Sequence, residues 1–292
     1  MTDIVLLTVA TDVNKPHFKN WKRSAEYAGW PSSKIAIVGE NENWGGWEWR
    51  CKKISEYCDS LPKNNIVIFC DSYDLLIFGS PKRFRKLFKS KKCDIMVGLE
   101  YMCGTKYSIT PSCAGSLYDD KNIFVCGGGI TGRASSMSHA YKYIGKYTDD
   151  QIGWYNYIKN NNYPPKTTFY FDENNEMIFN MAYGDHKTRN YQIRTTFEFI
   201  TFLFNPWKTI NPIKKTKLLP SIHGVSPLMI HTPGINSDSG SRYNYIGMNF
   251  LPKRVFERRG LTFNNITSLT YMSVLIAIVV IIVAVLKSNN KI

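Results

Sequence analysis

The stretch that most constrains this chain is Ile66-Val67-Ile68-Phe69-Cys70, followed at once by Asp71-Ser72-Tyr73-Asp74. An unbroken apolar run of β-branched and aromatic residues suits a strand covered on both faces, as in the parallel sheet of an α/β protein. Such a strand delivers its last residues to the crevice at the carboxyl edge of the sheet, where ligands of open α/β folds bind. There the run breaks into two carboxylates with a tyrosine between them, and the chain turns at Gly79-Ser80-Pro81. Two acids at i and i+3 serve one of two ends. They cap a turn, or they converge on a hard cation such as Mn²⁺ or Mg²⁺, whose usual ligands are carboxylates.

The flanking segments supply the sheet. Residues 4–10 form an apolar strand ending at Thr11-Asp12, and residues 18–29 carry helical spacing (Phe18, Trp21, Ala25, Ala28) with Gly29 and Pro31 as stops. With a second strand at 35–38 this is the strand–helix–strand unit of a parallel sheet. Asn43-Trp44-Gly45-Gly46-Trp47-Glu48-Trp49 places a glycine pair among three indoles, either a packed loop or a flat wall for a ligand. Residues 50–61 read as a helix with Ile54, Tyr57, Cys58 and Leu61 on one face, residues 81–89 as a basic amphipathic helix, and residues 94–98 as a strand leading to Leu99-Glu100.

The second half is richer in glycine and in acids. Residues 101–122 have loop composition, and residues 123–126 form a strand that the run Gly127-Gly128-Gly129-Ile130-Thr131-Gly132 is expected to end. Such a run belongs where backbone passes close to something else. It lacks the lysine of a P-loop and the spacing of a dinucleotide fingerprint. A helix over 134–147 follows. Thr148-Asp149-Asp150-Gln151 then opens another, its acids serving either the helix N-terminus or chemistry. Strand candidates lie at 167–171, 197–204 and 228–231. The last ends in His231, a structural histidine or, beside an acidic site, a natural third ligand.

Composition limits the partners. The chain has 292 residues, 43% of them hydrophobic, and a formal charge of +14, which favours anionic ligands or surfaces. The basic clusters come with no zinc-finger spacing and no RNA-binding signature, so nucleic acid is not the expected partner. Seven cysteines, without a CxxC pair, suit a reducing compartment better than a disulfide framework. Residues 269–286 carry no charge and are long enough to span a bilayer as a helix. The expected organisation is a catalytic domain over 1–252, a basic linker over 253–268, a transmembrane helix over 269–286 and a short tail over 287–292. The cluster Lys253, Arg254, Arg258 and Arg259 places the main domain on the cytoplasmic side of that membrane. The sequon Asn265-Ile266-Thr267 would matter only in the opposite orientation.

Taken in order, Leu7-Thr8-Val9-Ala10-Thr11, Glu42-Asn43-Trp44-Gly45-Gly46, Asp71-Ser72-Tyr73-Asp74, Gly128-Gly129-Ile130-Thr131-Gly132, Asp149-Asp150-Gln151, Ile230-His231 and Tyr243-Asn244-Tyr245-Ile246-Gly247 resemble the glycosyltransferase domain of procollagen lysyl hydroxylases and related collagen-type sugar transferases. The resemblance implies a GT-A-like (Rossmann-like) mixed sheet flanked by helices. It implies a UDP-sugar donor, Mn²⁺ (or Mg²⁺) at Asp71, Asp74 and His231, and transfer of glucose or galactose to a hydroxyl on a protein or glycan, such as hydroxylysine or galactosyl-hydroxylysine. Thr11, Trp44 and Tyr73 match positions around the nucleotide, Tyr73 as the base platform. Lys52, with Lys53 as its rival, matches a lysine at the diphosphate. Gly128 and Gly129 match the backbone beside the sugar, and Asp149 and Asp150 match acids beside sugar and acceptor. Copies of this domain occur in large DNA viruses, whose Asn- and Lys-rich composition this chain shares. Two stretches depart from the family: Tyr101-Met102-Cys103-Gly104 has no tryptophan, and Thr232-Pro233-Gly234 replaces a Gly-Asn-Gly stretch. They motivate a second expectation, a catalytically weak, membrane-anchored homologue that binds UDP-sugar or acts as a scaffold.

Overall fold

The computed structural model describes residues 3–100, 117, 124–180, 213–216, 219–222, 226–232, 250–252 and 254–255. In chain order the elements are β1 (Ile4–Val9), α1 (Pro16–Tyr27), β2 (Ile35–Val38), α2 (Gly46–Asp59), β3 (Ile66–Cys70), β4 (Leu75–Ile77), α3 (Pro81–Lys91), β5 (Ile95–Glu100), β6 (Phe124–Arg133), α4 (Ala134–Ile144), α5 (Asp150–Lys159), β7 (Phe169–Phe171), β8 (Ile178–Asn180), β9 (Ile213–Thr216), β10 (Leu219–Ile222) and β11 (Met229–His231). Six strands form the main sheet in the order β2-β1-β3-β6-β5-β7. β1 pairs in parallel with β2 and β3, as β5 does with β7, while β6 runs antiparallel to both β3 and β5. A three-stranded sheet, β4-β11-β8, and the hairpin β9–β10 complete the described strands.

The continuous apolar runs of β1 and β3 follow from helices on both faces. On one face Ile4, Leu6, Ile66, Ile68 and Cys70 pack with Phe18, Trp21 and Ala25 of α1 and Phe84 and Phe88 of α3. On the other, Leu7, Val67 and Phe69 pack with Cys51, Ile54 and Cys58 of α2, Met137 and Tyr141 of α4, and Trp154 and Tyr157 of α5. The helices begin where local chemistry allows. Pro lies in the first turn of α1 and of α3, and Ser80 Oγ accepts the Arg83 N–H at 3.4 Å to cap α3. α2 starts at Gly46, whose φ of 84° suits glycine, so Trp47 and Trp49 belong to its first turn rather than to the preceding loop.

The glycine run corrects the expected end of a strand at residue 126. It is the middle of β6, buried between β3 and β5. Glycine is tolerated there because the strand carries a bulge. Val97 of β5 lies opposite Ile130 but Leu99 opposite Val125, so two positions on β5 face five on β6. The side-chain alternation changes phase across it: Cys126 joins the α1/α3 core, and Ile130 the α2/α4/α5 core. The strand candidate at 197–204, the motif at 243–247 and the apolar stretch at 269–286 lie outside the described residues. Among the described residues no helix is long and apolar enough to cross a membrane.

Trp21 is fully buried, and its Nε1–H donates to Cys70 Sγ at 3.3 Å, tying α1 to the last residue of β3. Trp21→Ala is therefore expected to lower the free energy of unfolding by about 3–5 kcal/mol, measured by urea titration.

Candidate active site

Two pairings hold the turn after β3. The Asp71 N–H donates to the Gly128 carbonyl at 3.1 Å on one side. On the other, Thr232 donates to the Asp74 carbonyl through its N–H at 2.8 Å and its hydroxyl at 3.0 Å. β11 pairs antiparallel with β4, His231 opposite Leu75, and parallel with β8, His231 opposite Asn180. The imidazole thereby lies over both acids. Its buried Nε2 is 3.4 Å from Asp74 Oδ1, without the alignment of a hydrogen bond, and 3.8 Å from Asp71 Oδ2, beyond hydrogen-bond reach. One ligand atom from each of Asp71, Asp74 and His231 falls within 4.8 Å of the others. Two carboxylates and an imidazole around an orphaned nitrogen suit Mn²⁺ or Mg²⁺ by donor type and spacing. Burial pulls the His231 pKa down, but the Asp74 carboxylate outweighs it, so the group is held well above its ordinary value.

The glycines let this cluster close. A Cβ on Gly128 would stand 2.7 Å from His231 Cε1 and 2.8 Å from Asp71 Oδ2, and one on Gly127 would stand 2.8 Å from Asp150 Oδ2. Any side chain at either position would displace a polar group of the site.

Arg50, on α2, joins the two acidic groups. Its Nη2 donates to Asp71 Oδ1, and its Nη1 lies 3.6 Å from Asp150 Oδ2. The guanidinium lies against the rings of Phe69 (4.9 Å) and Trp47 (5.1 Å). Burial raises the Asp150 pKa to about 6 even though Arg50 lowers it, while Asp71 and Asp149 raise it further. Asp149 is the N-cap of α5: its Oδ1 accepts from Gln151 N at 2.8 Å and Ile152 N at 3.2 Å. Adjacent in sequence, the two acids thus have different partners, Asp149 the helix end and Asp150 the Arg50 cation.

The remaining predicted residues line the carboxyl edge. The Thr11 carbonyl accepts the Asn41 N–H at 3.2 Å. Trp44 is 53% exposed and meets Trp47 and Trp49 edge to face. The Tyr73 hydroxyl is bonded to both the N–H and the carbonyl of Asp12, at 3.0 and 3.1 Å, and Lys15 Nζ lies 5.2 Å from its ring. Gly129 faces Ile178 of β8. Lys52 is exposed with Glu56 at 3.9 Å, and Lys53 pairs with Glu42 at 2.6 Å. The cation that the structure sets against Asp71 is therefore Arg50.

Sequence reasoning missed Arg50, Glu100, Cys126 and Asn180. Arg50 had a readable signal, a charge at i−4 from Ile54 within the apolar stripe of a helix. Glu100 ends a strand whose every residue is buried. Its carboxylate accepts from Gln151 Nε2 and, at 2.9 Å, from Asn180 Nδ2, and burial raises its pKa to about 7 although His231 and both amides lower it.

Removing the cation from between the buried Asp150 and the half-buried Asp71 leaves at least one uncompensated charge. Arg50→Met is expected to cost about 3–5 kcal/mol at pH 8 by urea titration. Burial raises the Asp150 pKa to about 6 despite Arg50, and loss of that cation should raise it further, so above pH 6 the folded variant binds more protons than the folded wild type. The loss in Arg50→Met should therefore shrink as pH falls from 8 towards 6, and an equal loss at pH 5 and pH 8 would refute this account.

Comparison with known proteins adds the family. The chain is 22% identical over 280 residues to the multifunctional procollagen lysine hydroxylase and glycosyltransferase LH3 of Pongo abelii, covering 90% of this chain and 33% of that protein. It is 26% identical over 153 residues to procollagen-lysine,2-oxoglutarate 5-dioxygenase 1 of Homo sapiens, covering 47% of this chain and 19% of that protein. The chain therefore spans at most about a third of the length of these relatives. A solved glycosyltransferase, described as involved in the glycosylation of the major capsid of PBCV-1, superposes with a TM-score of 0.47 at 11% identity, covering 84% of this chain and 99% of that one. Residues 1–257 match the family model described as the PLOD GT domain, and the chain belongs to that family of glycosyltransferase domains.

Proposed function

We propose that this chain is a divalent-metal-dependent transferase that moves a hexose from a UDP-sugar to a hydroxyl acceptor. The observation that carries this reading is the buried, unaligned Nε2 of His231 facing the carboxylates of Asp71 and Asp74 beside bare backbone at Gly128. Asp71, Asp74 and His231 would hold the cation. When bound, it supplies positive charge to the diphosphate that leaves the sugar.

The chain's own groups do the rest. Arg50 occupies Asp71 Oδ1 and leaves Oδ2 directed at the cluster. Gly127 and Gly128 let a sugar or phosphate lie against main chain without meeting a side chain. Thr11, Trp44 and Tyr73 offer the nucleotide a polar edge and aromatic surface. Asp150, near half-protonation at pH 6, can exchange a proton with a sugar or acceptor hydroxyl at neutral pH. Glucose or galactose as donor, and hydroxylysine as acceptor, extend the proposal on the strength of the family resemblance of the sequence motifs.

The test is a panel of UDP-sugars incubated with the full chain, with and without Mn²⁺, reading released UDP. Turnover is expected only with Mn²⁺, and Asp71→Asn and Asp74→Asn should each lower it at least a hundredfold. Metal-independent turnover that survives both substitutions would sink the reading. Coordination requires a neutral His231, whose pKa the Asp74 carboxylate holds above its ordinary value in the metal-free protein, so binding is expected to release protons. Calorimetry in buffers of different ionisation enthalpy should detect net proton release on Mn²⁺ binding at pH 7. Apparent Mn²⁺ affinity should rise about tenfold per pH unit while His231 remains protonated in the free protein.

A further inference from the structure

His231 presents its two ring nitrogens to different surroundings. Nε2 faces the two carboxylates without an aligned partner, and Nδ1 lies 3.5 Å from the sulfur of Cys126. Cys126 is 1% exposed and sits on β6 two residues before Gly128. Its sulfur is also 3.5 Å from Asn180 Nδ2, whose amide donates to Glu100 Oε2 at 2.9 Å. The sulfur thus accepts the Asn180 amide N–H and lies within hydrogen-bond distance of the ring Nδ1.

We propose that Cys126 is the positioning residue for His231, its thiol sulfur accepting the Nδ1 proton and so fixing the tautomer and ring orientation that turn the Nε2 lone pair to the metal. This rests on the metal reading of Asp71, Asp74 and His231 given above. A neutral imidazole has one N–H and one lone pair, so a cation at Nε2 requires the proton at Nδ1. A buried N–H needs an acceptor, and among the described residues Cys126 Sγ is the one recorded for Nδ1. Ligating histidines characteristically hand their second N–H to such a partner, which sets the ring angle and the basicity of the ligating nitrogen.

Sulfur has a particular advantage at this position. Its S–H is a weak donor, so leaving it unpaired in a dry site is cheap, whereas a buried hydroxyl proton would need an acceptor of its own. The long C–S bond also lets a residue on β6 reach the ring of a residue on β11 across the glycine bulge. Asn180 holds the sulfur from the far side and is itself held by Glu100, which Gln151 of α5 also holds. Ring orientation in His231 is thereby tied to α5, the helix that opens with Asp150.

The test uses the full chain, Mn²⁺ as titrant in calorimetry, and ¹⁵N-histidine spectra with Mg²⁺ as the diamagnetic cation. His231→Gln identifies its signal among the five histidines. In the wild type with Mg²⁺, His231 should show the Nδ1–H tautomer. Cys126→Ala should weaken Mn²⁺ binding about 10–100-fold, Cys126→Ser should recover part of that loss, and both should melt cooperatively without metal. Should Cys126→Ala not fold, Cys126→Val fills the space without an acceptor and should show the same weakening. An Ala or Val variant that binds Mn²⁺ within twofold of wild type overturns the assignment of Cys126 alone. A wild-type chain that binds no Mn²⁺ overturns the metal reading beneath it.

Discussion

A single buried guanidinium sets the arrangement on which the site depends. Ionised groups out of water are stable only when paired and bonded, and Arg50 meets that condition with Asp71 on one side and Asp150 on the other. The helix that carries it must therefore pack with its first turn at the carboxyl edge of β3. That is where Gly46 starts α2 and where Trp47 and Phe69 shield the cation. Asp71 is thereby divided between two tasks, one oxygen facing the arginine and the other the histidine. Because Asp150 opens α5, the same cation also fixes where that helix begins against the sheet.

Around this pair the polar groups form a ring. It runs from His231 through Cys126, Asn180, Glu100 and Gln151 to α5, and returns from Asp150 through Arg50 to Asp71. At its centre passes the backbone of Gly127 and Gly128. The ring can be this tight because those residues have no side chains, and the bulge supplies the extra chain length that bends β6 between its walls. Glycines that would weaken an ordinary strand are thus tolerated in a central one.

The legible parts were those whose signal is local. The apolar run of β3, the acids that follow it and the histidine ending β11 could be placed from period and chemistry alone, and the structure brings all three side chains together. Two acids in sequence at residues 149 and 150 could be suspected of capping, but only packing shows that one caps while the other meets Arg50. The glycine segment was misread because so many glycines weaken an isolated strand, whereas here β3 and β5 hold the segment from both sides. Arg50 was overlooked because its partners lie on β3 and α5, so neighbouring lysines on the same helix were the more visible cations. The direction of β6 was hidden by the long stretch between it and β5.

The hydrogen bonds from Thr232 to the Asp74 carbonyl join residues 158 positions apart. Closing a loop of that length carries an entropic cost that nothing near either residue can offset. The ligand cluster is therefore a property of the finished topology. In any shorter piece of the chain, Asp71-Ser72-Tyr73-Asp74 is only an acidic turn, and its acids meet a histidine only once β11 has found its place between β4 and β8.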